Sequence, residues 1–296
     1  MSKILLNVIS QSIGDNVSVV PYASKFADIN PNDEIFLSIS ENLIDFFEDI
    51  YKNIKFIKKD SNLVFDKVLD LQYNFNESVQ GGYAKQMGFM SPEYIRPEIK
   101  FKVKERTIKN KYITIGIHST SQLKYWNHPS GRKNQELSIY WNELCSMIRK
   151  SGYTPVIVEA YELFGIPPFR NGMPRKANKK FGQSFLESMN LIYHSEFYIG
   201  LSSGMSWIAH AMGKKVAMIA NFTEDWNEFD LSLDDYIRIT NKNVCHGCWN
   251  LIGKDFDFDT QDWYWCPKHK DTVREFECHK SITPEVVFNE IKKWID

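Results

Sequence analysis

The pattern of hydrophobic and polar positions predicts strands and helices that alternate along the chain. Residues 4–9 form a short apolar run, a polar turn with a glycine follows, and residues 17–26 show helical spacing. A second strand is predicted at 34–40 and a second helix at 43–51. Further elements are predicted as short strands at 53–57 and 64–69 and as a helix at 78–90. Such alternation is typical of an open, mostly parallel α/β sheet.

A second series of elements begins after residues 91–111, a charged stretch with two prolines that we interpret as a linker. Strands are predicted at 112–118, 154–159, 197–200 and 215–219, helices at 137–150, 184–193 and 205–212, and a basic loop at 165–180. Thr283 and Pro284 predict the start of a last helix, as N-cap and first residue.

The two series predict two Rossmann-like α/β domains that face each other across a cleft. We expect residues 1–105 to form the first domain and residues 106–296 the second. In open α/β sheets the ligand binds beyond the carboxyl ends of the strands. The loops that follow strands are therefore where we look for chemistry.

Composition excludes several classes of protein. The 296 residues carry a formal net charge of -1, with 43% hydrophobic and 25% charged residues. This balance gives no electrostatic basis for general nucleic-acid binding, and no apolar segment is long enough to span a bilayer. The apolar run at the start of the chain is too short for a signal peptide. Clustered cysteines without an export signal favour a reducing cytoplasm.

Four of the 5 cysteines lie in one stretch, residues 245–278, which we name the cysteine loop. They are Cys245, Cys248, Cys266 and Cys278. A Cys-x-x-Cys pair completed by two more thiolates can hold one zinc or iron ion tetrahedrally. Two disulfides or four unrelated buried thiols are the alternatives, and a histidine could replace one cysteine as ligand. The candidate histidines are His246, His269 and His279.

One loop predicts a phosphate site. After the strand at 197–200, the small residues Ser202, Ser203 and Gly204 open a helix that continues through Met205. Unpaired amides at a helix N-terminus attract phosphate or pyrophosphate, and serine hydroxyls add donors. Ordinary N-capping by serine is the alternative interpretation.

A second loop follows the first strand of the second series. Lys124 is placed to reach a phosphate from the opposite side of the same pocket, although a surface lysine is the commoner fate of this residue type. The preceding candidate hydroxyl donors are Ser119, Thr120 and Ser121.

A third loop, in the first series, contains Asp15 after Gly14. A carboxylate at the end of the first strand, facing the cleft, can accept a proton from an acceptor hydroxyl. The alternative is that Asp15 caps the following helix.

These motifs resemble those of the bacterial autotransporter heptosyltransferases, a branch of the ADP-heptose:lipopolysaccharide heptosyltransferase-like glycosyltransferases of family 9. The resemblance covers nearly the whole chain and is densest from residue 197 onward. It is carried by YIGLSSGMSWIAHAMGKKVAMI, VCHGCWN, DWYWCPKHK, FECHKSITPE and HSTSQLKYWN, and more weakly by IGDNVSVVPY. Family members carry a further region ahead of the first strand, whereas here that strand begins by Ile4.

The resemblance implies a GT-B fold and transfer of a heptose from ADP-heptose to serine hydroxyls of an autotransporter adhesin. It implies a structural iron on the four cysteines and no metal in the bond exchange. By position, Asp15 matches the catalytic base and Lys124 the lysine on the donor phosphates. Ser202, Ser203, Gly204 and Met205 match the pyrophosphate-binding turn.

Several alternatives stay open at this point. The enzyme could use another nucleotide sugar or a saccharide acceptor, and it could form a homo-oligomer. A non-catalytic sugar-nucleotide-binding protein would keep the cleft without the base. A zinc-ribbon module for nucleic acids is disfavoured by the balanced charge and the α/β alternation.

Overall fold

The computed structural model describes residues 1–119, 126–127, 138–162, 164–166, 169–179, 183–259, 262 and 265–295. The predicted site residues Thr120 and Lys124, and the candidate Ser121, lie outside the described residues.

The first part of the chain forms a parallel four-stranded sheet. Its strands are β1 Lys3–Val8, β2 Glu34–Ile39, β3 Lys55–Lys58 and β4 Lys67–Leu71. Their order is β3-β2-β1-β4, and every pair is parallel. Along β1, Ile4, Leu6 and Val8 are buried, because alternate side chains of a strand point to the same face. The short strands predicted at 53–57 and 64–69 are confirmed as β3 and β4, although β4 begins later than the apolar run indicated.

Helices connect these strands and cover the sheet. They are α1 Ile13–Ser18, α2 Val20–Ile29, α3 Glu41–Phe47 and α4 Val79–Gln86. The single helix predicted across residues 17–26 is interrupted where α1 ends. Pro21 has no N–H to donate to the preceding turn, so the α-helical ladder breaks there.

The second part of the chain forms a parallel five-stranded sheet in the order β11-β10-β9-β5-β6. The strands of this part are β5 Tyr112–Gly116, β6 Thr154–Ile157, β7 Phe164–Ile166, β8 Phe169–Asn171, β9 Tyr198–Leu201, β10 Val216–Ile219 and β11 Tyr236–Ile239. Every residue of β5, β9 and β10 is buried, as expected for central parallel strands. β7 and β8 pair antiparallel, so the prediction of a loop across 165–180 is wrong at its start. β11 was not predicted.

The described residues of this part form five α-helices. They are α5 Ile139–Lys150, α6 Phe185–His194, α7 Gly204–Ala211, α8 Glu277–Lys280 and α9 Pro284–Ile291. The predicted cap is confirmed for α9, where the Thr283 hydroxyl accepts the Val286 amide, and after α5 the residue Gly152 has a φ of 85°. That positive φ is favourable for glycine at a helix end.

The segment between the two sheets, residues 90–111, contacts both of them. The Lys100 amide donates to the Phe46 carbonyl of α3 (2.9 Å), and Arg96 pairs with Asp235 at 2.6 Å just before β11. Two parallel α/β sheets joined by this segment agree with the fold class that the alternation of strands and helices predicted. Among the described residues, no helix combines the length and the apolar character needed to cross a bilayer.

Candidate active site

A cavity of about 250 Å³ lies between the two sheets, at the carboxyl ends of their strands. The loops after β1, β4, β9 and β10 all contribute to its wall. The first part of the chain contributes Ser10, Ser12, Gly14, Asp15, Tyr73, Phe75 and Val79. The second part contributes Ser202, Ser203, Gly204, Trp207, Asn227, Glu228 and Trp249. The cavity therefore brings Asp15 and the Ser202–Gly204 turn to one place.

Asp15 lies in the first turn of α1 and is almost fully buried. It does not cap that helix, because the N-cap position is Ser12. Its carboxylate accepts a hydrogen bond from the Ser10 hydroxyl, and the Lys59 ammonium donates to the Ser10 carbonyl. A carboxylate held by a neighbouring hydroxyl and open to the cavity can accept a proton from a bound hydroxyl.

Tyr83 of α4 adds a neutral hydroxyl beside this carboxylate. Its side chain is buried, and its pKa is raised well above the usual 10, by burial first and by the charge of Asp15 second. Burial also lowers the pKa of Lys59, an effect that the Asp15 charge opposes. Burial is the main cause of both shifts, because a poorly solvated pocket disfavours the charged form of each group.

The predicted phosphate turn has the expected backbone geometry. Ser203 is the N-cap of α7, and its side chain does not cap the helix. Ser202 does not cap it either, because its hydroxyl donates to Glu228. The alternative of ordinary serine capping is therefore wrong, which leaves the helix N-terminus facing the cavity.

The loops beyond β5 and β9 are joined by a hydrogen bond. The Ser119 hydroxyl, beyond β5, donates to the Ser202 carbonyl beyond β9 at 3.0 Å. Glu159, beyond β6, accepts the His118 amide at 2.8 Å and so holds the backbone next to Ser119. Burial raises the pKa of Glu159 to about 7 and lowers that of His118 to about 4.

Glu228 is a site residue that the sequence analysis missed. Its carboxylate is 2% exposed and accepts hydrogen bonds from Thr223 (3.0 Å), Asn227 (2.9 Å) and Ser202. Arg238 of β11 pairs with its second oxygen. A buried charge needs such partners. Only the cluster Thr-Glu-Asp-Trp-Asn-Glu after β10 signalled it, and polar loops are too common to single it out.

An aromatic wall was also missed. Trp249 of the cysteine loop packs edge-on against Phe75, with ring centroids 5.0 Å apart, and its Nε1 donates to the Tyr73 hydroxyl at 2.8 Å. Trp207 of α7 lines the same cavity. Flat aromatic faces suit the apolar faces of sugar rings, and their polar edges remain hydrogen-bonded.

The cysteine loop brings its thiols together without disulfides. All four cysteines are free, and the sulfurs of Cys245 and Cys248 lie 3.9 Å apart. Burial raises the pKa of Cys248 to about 12, and the pKa of Cys278 is raised by burial and by the other three thiols. The structure therefore shows no disulfide among the four, and the metal site stays a prediction.

One pair of this donor set, Cys245 and Cys248, has the spacing that a tetrahedral metal ion requires. Four sulfurs bound to one ion at roughly 2.3 Å would lie about 3.8 Å apart. The amides of Phe276 and His269 face the Cys266 sulfur and partly offset the rise in its pKa that burial causes. Cys245, His269 and Glu277 also hold their ligand atoms within 4.8 Å of one another, so a histidine ligand remains compatible with the geometry.

The chain is similar to bacterial heptosyltransferases over almost its whole length. The autotransporter heptosyltransferase Aah of Escherichia coli is 29% identical, over 98% of this chain and 73% of that protein. A crystal structure of the dodecameric iron-containing heptosyltransferase TibC of E. coli, in complex with ADP-D-β-D-heptose, has a TM-score of 0.83 and 26% identity. It covers 99% of this chain and 75% of that chain. The resemblance that the motifs indicated is confirmed, and so is the glycosyltransferase fold.

Two further comparisons complete this picture. The ADP-heptose lipopolysaccharide heptosyltransferase II of E. coli covers 100% of this chain and 98% of its own with a TM-score of 0.61, and its 11% identity shows the fold alone. The inactive autotransporter heptosyltransferase BimC of Burkholderia thailandensis is 26% identical, over 69% of this chain and 44% of that protein. No protein-family model matches the chain.

Proposed function

We propose that this chain, a homologue of the autotransporter heptosyltransferases, is a glycosyltransferase that moves a heptose from ADP-heptose to serine hydroxyls of an autotransporter protein. The observation that carries the proposal is the shared cavity of Asp15 and the Ser202–Gly204 turn. A proton acceptor from one lobe and a diphosphate site from the other are the two groups that such a transfer needs. The lobes are proposed as domains 1–105, on the acceptor side, and 106–296, on the donor side.

The reaction is a substitution at the anomeric carbon. The acceptor hydroxyl attacks that carbon, the bond to the diphosphate breaks, and ADP leaves with the bonding electron pair. Asp15 receives the proton of the attacking hydroxyl, and Ser10 keeps the carboxylate oriented by its hydrogen bond. The buried hydroxyl of Tyr83 lies beside the same carboxylate.

Negative charge grows on the diphosphate as it leaves. The amides at the start of α7 face that charge, and the helix dipole adds to their effect. We assign Gly204 and Met205 to this turn, with Ser119, Thr120 and Lys124 on the opposite side of the diphosphate. Preorganised donors of this kind give the largest electrostatic contribution in many enzymes.

The cysteine loop would hold a structural iron ion. Cys245, Cys248, Cys266 and Cys278 supply the thiolates, and the packing of Cys248 against Phe222 and Trp265 keeps the site dry. A bound metal crosslinks the loop, and its binding free energy stabilises the fold. Support for iron over zinc comes from the iron-containing TibC.

Location and assembly are further parts of the proposal. Free thiols in a metal-type cluster suit a reducing compartment, so we infer that the protein acts in the cytoplasm. TibC is dodecameric, and we propose that this chain also forms a homo-oligomer. Light scattering behind a sizing column measures that directly, and a monomeric mass would contradict it.

The second candidate is a non-catalytic sugar-nucleotide-binding protein. It is supported by the relative BimC, which is an inactive autotransporter heptosyltransferase. The test is co-expression of the wild-type chain with an autotransporter acceptor in cells that make ADP-heptose. Mass spectrometry should show serine residues heavier by one heptosyl residue each. Asp15→Asn is the inactive control, and the exposed Asp28→Asn is the matched active one. An unmodified acceptor together with tight ADP binding favours the second candidate.

A further inference from the structure

The cysteine loop reaches into the cleft through one short turn, the 3₁₀ helix Cys248–Leu251. Trp249 of this turn lines the cavity and donates to the Tyr73 hydroxyl, which belongs to the loop after β4. Asn76, on the same loop, donates from Nδ2 to the carbonyls of Asn250 (3.0 Å) and Ile252 (3.1 Å). The turn is therefore attached to the lobe that carries Asp15, although it follows the second sheet in the sequence.

Asn250 is the residue on which these contacts centre. Its side chain is 3% exposed. Nδ2 donates to the Phe75 carbonyl of the first lobe (2.8 Å) and to Asn227 Oδ1 of the second lobe (2.7 Å), while Oδ1 accepts the Glu224 amide (2.8 Å). A carboxamide has two donor hydrogens and an acceptor oxygen, so this one side chain satisfies both lobes at once.

The hydrogen bonds continue from Asn227 to the Ser202–Gly204 turn, which we name the donor turn. Asn227 Nδ2 donates to Glu228 Oε1 at 2.9 Å, and the Ser202 hydroxyl donates to that same oxygen. The Asn227 carbonyl accepts the Val79 amide at 2.8 Å, which attaches the start of α4 to this loop. Since each of these groups is buried, a missing partner would leave an unsatisfied polar atom.

We infer that Asn250 is a positioning residue, which aligns the Ser202–Gly204 turn with the lobe that carries Asp15. It acts through Asn227 and Glu228 on one side and through Phe75 on the other. The inference rests on the proposed function for its effect on ADP binding, but not for the coupling itself. It makes the cysteine loop a part of the cleft, because Cys248 is the first residue of the same turn.

The test uses the full-length chain with its metal content measured. Asn250→Asp removes both donated hydrogen bonds, keeps the acceptor for the Glu224 amide and adds a negative charge beside Asn227. Asn243→Asp makes the same chemical change at an exposed position of the neighbouring segment and is the matched control. Hydrogen–deuterium exchange is followed at the amides of residues 202–206, and ADP binding is followed by calorimetry.

We expect exchange at residues 202–206 to rise about tenfold in Asn250→Asp, and the ADP dissociation constant to rise by about tenfold. Exchange in β1 and metal content should match the control. Combined with Ser202→Ala, the effect of Asn250→Asp on ADP binding should be less than additive, because both changes act on one path. A purely structural role would lower the melting temperature and leave these two readings at the control values, which overturns the inference.

The outcomes separate the two proposals. If wild-type protein binds no ADP, the proposed function fails, and the exchange measurement still decides whether Asn250 is coupled to the donor turn. If Asn250→Asp does not fold, Asn227→Ala breaks the same path one residue nearer to Ser202 and should give the same rise in exchange. Unchanged exchange in that variant overturns the inference as well.

Discussion

Gly14 and Gly204 meet at backbone contact across the cleft: a β-carbon on Gly204 would lie only 3.1 Å from the Gly14 nitrogen. It would lie 2.6 Å from the β-carbon of Ile13, a distance that real contacts do not reach. Since Asp15 follows one glycine and Ser203 precedes the other, this approach sets the distance between the proposed base and the donor turn.

Gly204→Ala should therefore separate the two turns. We expect a loss of about 1–3 kcal/mol of unfolding free energy from overpacking, together with weaker ADP binding. Gly82→Ala is the control, because the atoms nearest to its β-carbon would be the β-carbons of Asn74 and Glu77, at 3.2 and 3.5 Å. Urea unfolding and calorimetry with ADP measure both effects. Equal behaviour of the two variants would contradict the close approach.

Asp15→Asn should abolish transfer without loss of the donor site. The amide keeps the size of the side chain but cannot accept the proton, so the transfer rate should fall roughly a hundredfold to ten-thousandfold. ADP affinity should stay close to that of the wild type, because the proposed diphosphate site belongs to the other lobe. Steady-state transfer assays measure the rate. An Asp15→Asn variant that transfers at the wild-type rate would contradict the assignment of Asp15 as proton acceptor.

Lys124→Ala should weaken both ADP binding and catalysis. A lysine on the departing diphosphate stabilises charge that develops in the transition state, and its loss should lower the rate on the order of a hundredfold or more. Lys52→Ala is the control, since Lys52 is exposed and pairs only weakly with Asp49 at 3.7 Å. If ADP affinity and rate are unchanged in Lys124→Ala, this assignment is wrong.

Cys248→Ser should release the metal and lower the melting temperature by several degrees, because a structural metal contributes its binding free energy to folding. Cys145→Ser is the matched control: Cys145 is a fully buried thiol of α5 outside the cysteine loop, and its variant should keep the metal. Elemental analysis and thermal unfolding give the two readings. Purified wild-type protein without iron or zinc would falsify the metal site.

His210 should make the protein sensitive to acid. Its ring is fully buried and stacks on Phe229 with centroids 4.2 Å apart, and its two nitrogens have no hydrogen-bond partner among the described residues. Burial lowers its pKa to about 3; the nearby Arg96 lowers it further, and Asp235 opposes this. Below about pH 6.5 the unfolded chain binds a proton that the folded chain excludes, so stability falls as pH decreases.

At pH 5 this loss amounts to about 2 kcal/mol. His210→Leu removes the titrating group, so the stability difference between the variant and the wild type should grow by about that amount from neutral pH to pH 5. Urea unfolding at the two pH values measures it. His194→Leu, at the last residue of α6, is the control and should leave the pH dependence of the wild type. A difference that does not change with pH contradicts the prediction.

Local patterns predicted most of the fold for a physical reason. Central parallel strands such as β5 and β9 are buried on both faces, so they are continuous apolar runs that stand out in the sequence. The strand β11 escaped notice because Arg238 interrupts its apolar pattern. That arginine is stabilised inside by Glu228, ten residues earlier, and by the carbonyls of Ala220 and Thr223.

The sequence by itself determined the two α/β series, the loops that carry Asp15 and Ser202–Gly204, and the cysteines that lie together, because each depends on residues close in the chain. Tertiary structure alone decided that Gly14 contacts Gly204, that Glu228 holds Ser202, and that Asn250 joins the two lobes. These contacts join residues up to 190 positions apart, from Gly14 to Gly204. Buried polar groups find such partners only once the sheets are assembled, and no local pattern encodes that pairing.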